Sequence, residues 1–351
     1  MRDLLLELVQ VTVGKRDRLS RVLSEGEWKS LRALASGQGL VAFLTDGFDR
    51  LPLDQVPPEE EMVHWIGDRM RKEAAHSSHW KAQCALADLL KKGGLKTLVL
   101  KGEVFAECWP NSERRSSSDM DCFLLGADDA WEQGNRLVEA AGYEVQRTYY
   151  KNSTWLLPKL MVENHRWLTP FRGNKRLMAL ERLLQRLMRE DQGSSRFAGT
   201  ELWRPPVMAS AIFLIEHAYS HFLHEGLTWR LILDWPFYLQ AHSSELDMTE
   251  LAGWIDLYGF RKFFTSYVQL GKYCLGLVTK NDLSDADKLM LSDVWAPQDL
   301  HETVDGLRGK LALVGNTWRA RWKYRKFTDM NWMQALWIQV NGYLFEKDAT
   351  L

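Results

Sequence analysis

Cysteine is scarce in this chain: four in 351 residues, at Cys84, Cys108, Cys122 and Cys274, with no CxxC pair. That spacing excludes a disulfide framework and a zinc ribbon, and leaves reduced, packed thiols of the kind found in the cytoplasm. The start, MRDLLLELVQVTVGKRDR, lacks the basic, apolar and small-residue succession of a secretory signal. No apolar run approaches the roughly 18 residues that a membrane span needs. A cytoplasmic chain is therefore expected. Excess charge is missing too, with 45 basic against 46 acidic residues and a net charge of -1. No global polyelectrolyte partner is implied, and a nucleic-acid contact would have to be a local patch. There is no internal repeat and no low-complexity tract.

What is present is an ordinary globular composition, 46% hydrophobic and 26% charged, with 16 tryptophans suited to well-filled helix interfaces or aromatic pockets. The length predicts two or three folding units. Residues 1–92 read as helices, ending in one long helix from MVHWIGDRM to LADLLKKGG that lysines and glycines close. The pattern then changes. LKTLVLKG is a buried strand stopped by Gly102, EVFAECW a helix, NSERRSSS a loop, DMDCFLL a second strand, and DDAWEQGNRLVEAAGY an amphipathic helix. EVQRTYYKN, STWLLPKL and MVENHRWL are further strands, so residues 93–172 form a small α/β core. From about 175 the chain reads as helical again, and 173–351 forms a C-terminal helical region. The fold class expected is α+β.

Within the core, RRSSSDMDCFLL (114–125) places Asp119 and Asp121 two residues apart on a strand. Period two puts both carboxylates on one face, roughly 7 Å apart at their Cα atoms. One rigid element can hold a hard divalent cation in this way. A solvated strand face has the same pattern, and acid-x-acid triplets also arise by chance, so context must decide. Removing the like charges of such a face would relieve repulsion and leave the fold intact.

That context is a strand, Lys-Gly, a helix, an arginine-bearing loop, then Asp-x-Asp on a strand, in LVLKGEVFAECWPNSERRSSSDMDCFLL. It resembles the nucleotidyltransferase superfamily that includes DNA polymerase beta. More narrowly it is similar to a bacterial family described as uncharacterised nucleotidyltransferases. The acid-x-His element of that family appears in VENHRWL as Glu163 and His165. Its helical tail appears in HAYSHFLHEGLTWRLILDW and NTWRARWKYRKF. The resemblance runs from about residue 25 to the end. It implies a small nucleotidyltransferase-type mixed sheet framed by N-terminal helices and a C-terminal helical bundle. It also implies Asp119, Asp121 and Glu163 as catalytic residues and ligands of Mg²⁺ or Mn²⁺. The sequence departs from the superfamily at Lys101-Gly102-Glu103, where Gly-Ser or Gly-Gly is usual. Glycine keeps the close backbone approach, while Lys101 offers a point charge to phosphates. Arg114 and Arg115 are candidate bidentate phosphate grips, Ser118 orients the turn before Asp119, and His165 is a further nucleotide-side candidate.

The activity implied is transfer of a nucleoside monophosphate from a nucleoside triphosphate, ATP foremost, to an acceptor hydroxyl on a small molecule, a tRNA or a protein. Two alternatives stand beside it. One is a catalytically inactive nucleotide- or partner-binding protein on the same fold. The other is a zinc hydrolase built on His217, His221 and His224, which share one helical face. HAYSH lacks the glutamate of a zinc-protease helix, and packing inside the bundle accounts for these histidines more simply. Arg230 and Asp234, at i and i+4, are expected to pair on a helix surface. The basic aromatic stretch WRARWKYRKF is expected to cover a helical core with snorkelling side chains, and so is the helix from Lys175 to Arg189.

Overall fold

A computed structural model of the chain describes residues 1–126, 129–147, 150–171, 174–190, 193–296 and 318–337. The N-terminal helices α1 (Arg2–Thr12), α2 (Glu25–Gly37) and α3 (Val41–Leu44) lead into α4 (Glu59–Lys92). The α2 start carries a capping box, Ser24 with Glu27. Trp28, Phe48 and Trp65 meet edge to face at 5.3–6.2 Å and fill the space between these helices. Helix α4 opens on three glutamates and closes on Lys91 and Lys92, as the helix dipole favours.

The sheet has seven strands: β1 (Lys96–Val99), β2 (Asp119–Leu125), β3 (Glu144–Gln146), β4 (Asn152–Leu157), β5 (Leu160–His165), β6 (Ser195–Arg196) and β7 (Leu202–Arg204). Their spatial order is β3-β4-β5-β2-β1-β7-β6. Strand β2 lies at the centre, antiparallel to β1 and parallel to β5. Residues 120–124 of β2 are all buried, Asp121 among them, so both faces of this central strand are covered. The short helix α5 (Glu103–Ala106) follows β1, and α6 (Ala130–Ala140) packs on the sheet. Buried Asn135 of α6 accepts hydrogen bonds from Ser153, Trp155 and Asn164, tying the helix to β4 and β5.

The C-terminal helices are α7 (Lys175–Glu190), α8 (Val207–His224), α9 (Trp229–Ala241), α10 (Met248–Leu257), α11 (Arg261–Cys274), α12 (Asp285–Val294) and α13 (Arg321–Phe327). Strands β6 and β7 interrupt the stretch expected to be helical from 175. Leu202 and Trp203 pair in parallel with Thr97 and Leu98, so this late segment extends the sheet through non-local partners that short-range periodicity does not register. In α13, Tyr324 and Phe327 are buried. Lys323 does not snorkel: its ammonium turns inward to the Phe222 carbonyl at 2.6 Å and Asp293 at 2.8 Å. All four cysteines are free thiols. Among the described residues no helix is long and apolar enough to cross a membrane.

Candidate active site

The parallel pairing of β2 with β5 sets Asp121 opposite Glu163 and Phe123 opposite His165. Because side chains alternate, Asp119, Asp121, Glu163 and His165 share one face of the two strands. Ligand atoms of Asp121, Glu163 and His165 all lie within 4.8 Å of one another. Among the described residues, His217, His221 and His224 form no such group.

Lys101 reaches this cluster from the end of β1. Its ammonium lies 3.0 Å from Asp121 Oδ2 and 3.6 Å from Asp119 Oδ2. Burial alone would lower the lysine pKa, but Asp121 and Asp119, with help from Glu163, outweigh it and hold the pKa above the ordinary lysine value. His165 is 2% exposed, with Nε2 at 3.0 Å from Asp121 and 3.4 Å from Glu163. Its Nδ1 lies 3.2 Å from the Trp167 carbonyl. Both ring nitrogens therefore face acceptors, which only the imidazolium can satisfy. Burial opposes that charge, yet the two carboxylates win and raise the histidine. Burial likewise pushes Glu163 up, but its bond with His165 and the charges of Lys101 and Lys151 bring it down to about 2. Three carboxylates thus share two cations.

The turn after Lys101 has its own supports. Gly102 adopts φ 69°, a left-handed conformation that disfavours any side chain. Arg115 Nη1 donates to its carbonyl at 3.3 Å. Next in sequence, Glu103 is buried and meets His76 Nε2 at 2.9 Å, with Gln83 at 3.5 Å. Its helical signal in Lys-Gly-Glu hides this role, because both partners come from α4. Ser118 donates to Asp119 Oδ1 at 3.1 Å, the orienting contact its position allows.

The two loop arginines go elsewhere. Arg114 pairs with Asp46 and with Glu73, 2.9 Å away, on the N-terminal helices. Arg115 is 4% exposed and grips Asp234 of α9 in bidentate fashion, at 2.6 and 2.7 Å. Trp109 Nε1 adds a third bond to Asp234 at 2.9 Å. Asp234 is therefore a buried anchor between core and helical tail, and not the surface partner of Arg230 that the i, i+4 spacing predicts. Arg230 is left 4.0 Å from it.

Helix α8 packs beside this cluster. Phe213 packs edge to face on His165 at 6.4 Å and stacks on His217 at 6.2 Å, and His217 meets His221 at 4.4 Å. His221 Nδ1 pairs with Glu225 at 2.8 Å. His224 is exposed, and its Nδ1 donates to the Ser220 carbonyl at 2.8 Å. Burial, then the charges of Lys101, His221, Lys151 and Arg230, hold His217 well below the ordinary histidine value. It is a neutral imidazole beside a cationic site. The i, i+4 spacing of the histidines was visible in the sequence, as was that of Arg230 and Asp234; Lys151 carried no signal.

Comparison with known proteins gives one result. Residues 24–276 match the model of a protein family described as "Uncharacterised nucleotidyltransferase". No curated protein and no solved structure matches.

Proposed function

The chain belongs to this family of uncharacterised nucleotidyltransferases, the match covering well over half of its length, and from that premise we propose that it transfers a nucleoside monophosphate from a nucleoside triphosphate to an acceptor hydroxyl. In this proposal the triphosphate is ATP and the metal is Mg²⁺ or Mn²⁺. The observation that carries it is the convergence of Asp121, Glu163 and His165 within 4.8 Å, with Lys101 between Asp119 and Asp121.

The residues fit a divalent cation. Asp121 Oδ2 is buried without a hydrogen-bond partner, and the cation facing it is the Lys101 ammonium. Asp121 and Glu163 would hold the metal, with Asp119 at the exposed side; carboxylate oxygens are the donors such ions take. When bound, the metal supplies charge neutralisation at the phosphates and at the attacking oxygen. The chain's own groups do the rest. His165, bonded to both carboxylates and to the Trp167 carbonyl, fixes their orientation. Lys101 is freed from the carboxylates to meet charge building on the leaving pyrophosphate. In the transfer itself the acceptor oxygen bonds to the α-phosphorus, the bond from that phosphorus to the bridging oxygen breaks, and the acceptor proton leaves to solvent.

A second reading, a nucleotide- or partner-binding protein without turnover, draws on the same lysine: a built-in cation already neutralises the carboxylates. One experiment separates the two. The full chain is incubated with each α-labelled nucleoside triphosphate, Mg²⁺ and cell extract, beside Asp121→Asn. Transfer of label by wild type alone is expected. Triphosphate binding with no label transfer in any fraction would leave the binding reading in place.

A further inference from the structure

Helix α7 carries an acid where its apolar face should continue. Arg182, Arg186 and Arg189 are exposed, while Glu181 is buried together with Leu180, Leu184 and Met188 and is 0% exposed. A carboxylate so placed is costly unless its oxygens are satisfied. Here both are. Oε1 and Oε2 accept from the Leu168 amide at 3.0 and 2.9 Å. Oε2 also accepts from the Thr169 amide at 2.7 Å and from the Thr169 hydroxyl at 3.0 Å. Gln185, one turn on, donates from Nε2 to Glu181 Oε1 at 2.8 Å and to the Arg166 carbonyl at 3.0 Å.

The segment gripped in this way runs on directly from His165 at the end of β5. Its start is held by the Lys151 carbonyl, which accepts from the Arg166 and Trp167 amides at 2.8 and 2.9 Å. Residues 166–169 are thus pinned from two directions. Between the pins stands the Trp167 carbonyl, 3.2 Å from His165 Nδ1. Through Nε2 the same ring meets Asp121 at 3.0 Å and Glu163 at 3.4 Å. A ring whose acceptor drifts can rotate or move its proton to the other nitrogen, and the carboxylates on its far side lose their spacing with it.

We infer that Glu181 is a positioning residue of the candidate site: by clamping the chain after β5 it holds the Trp167 carbonyl on His165, and through that ring it sets Asp121 and Glu163 for the metal. The metal, the last link, rests on the nucleotidyl-transfer reading above; the clamp on His165 rests on the hydrogen bonds alone. A carboxylate that only stabilised the fold would leave the ring unchanged in the folded protein.

The test uses the full chain with isotope-labelled histidine, followed by NMR at neutral pH. In wild type the Nδ1–H of His165, bonded to a carbonyl and out of water, gives a slowly exchanging ring resonance that His165→Asn removes. In folded Glu181→Gln, whose amide nitrogen faces donors that the carboxylate received, that resonance is lost or displaced. Mn²⁺ titrated without nucleotide then binds about 10-fold more weakly. Gln185→Met moves both readings in the same direction by less. Arg186→Gln, on the exposed side of α7, changes neither. A Glu181→Gln chain that melts earlier yet keeps the wild-type resonance and Mn²⁺ affinity would overturn the positioning role and leave a purely structural one. If Glu181→Gln does not fold, a wild-type resonance and affinity in Gln185→Met has the same meaning. Wild type that binds no Mn²⁺ would overturn the metal reading alone, and the ring resonance in the variants then decides for or against the clamp.

Discussion

The sheet cluster and the helices beside it handle charge in different ways. In the sheet cluster, Asp119, Asp121 and Glu163 are matched at close range by Lys101 and His165. On the helical side, burial and nearby charges hold His217 well below the ordinary histidine value, and Arg230 lies 4.0 Å from Asp234, an acid already gripped by Arg115. A site that binds polyanion and metal together needs both kinds of surface.

The comparison breaks most severely at Asp121. Asp121→Asn should lower label transfer by on the order of 10³-fold, as losing a central electrostatic group does, and should abolish metal-dependent nucleotide binding. It should also cost about 3 kcal/mol of stability in urea unfolding. The expectation that removing like charges relieves repulsion does not survive the geometry, because Asp121 is 1% exposed and meets two cations, not a bare second carboxylate. Unchanged unfolding together with wild-type transfer would show that this cluster is not the working one.

Next in size is the anchor beneath the site. Arg115→Met leaves Asp234 buried without its bidentate partner, and about 3 kcal/mol of stability should be lost. Nucleotide affinity measured below the transition should fall only through the loosened Gly102 turn. A variant as stable as wild type would make the pair dispensable and return Arg115 to the list of free cations.

Lys101 sharpens the contrast, since it belongs to the sheet cluster yet, like Arg230, carries positive charge. Lys101→Met should cut turnover by about 10²-fold and nucleotide affinity by less. The same change should tighten Mn²⁺ binding in the absence of nucleotide, because the built-in competitor for Asp121 is gone. Weaker metal binding in the variant would mean that the lysine supports the ion and does not compete with it.

The smallest effect is a pH dependence. Glu216 is raised to about 7 by burial, then by Glu181, with Lys151 and His165 opposing. A raised carboxyl contributes its full stability below the unfolded value, near 4.5, and loses it as pH rises through about 7. Relative to wild type, Glu216→Gln should therefore gain on the order of 2 kcal/mol between pH 5 and pH 8. Parallel stability curves would place the Glu216 carboxyl in water.

Much of the molecule was legible in the chain itself. Apolar spacing located α4, α6, α7, α8 and α9, and period-two reasoning put Asp119 and Asp121 on one face of β2, bounded by Asp119 and Leu125 as DMDCFLL reads. The run MTELAGWIDLYGFRKFFTSYVQLGKYC divides at Tyr258 and Gly259 into α10 and α11. Those features are properties of neighbours along the chain, so the sequence carries them. The identity of a side chain's partner is different. Asp121 meets His165 across 44 residues, Arg115 meets Asp234 across 119, and β7 joins β1 from about a hundred residues away. Thus the sequence by itself determined most of the helices, the strands of the 93–172 core and the carboxylate motif, through local periodicity and sterics, while β6 and β7 came only with the tertiary structure. Only the tertiary structure decided which cations are spent and which are free. Charge interactions act through space at a few ångströms, and no spacing rule along the chain encodes which distant groups the fold brings that close.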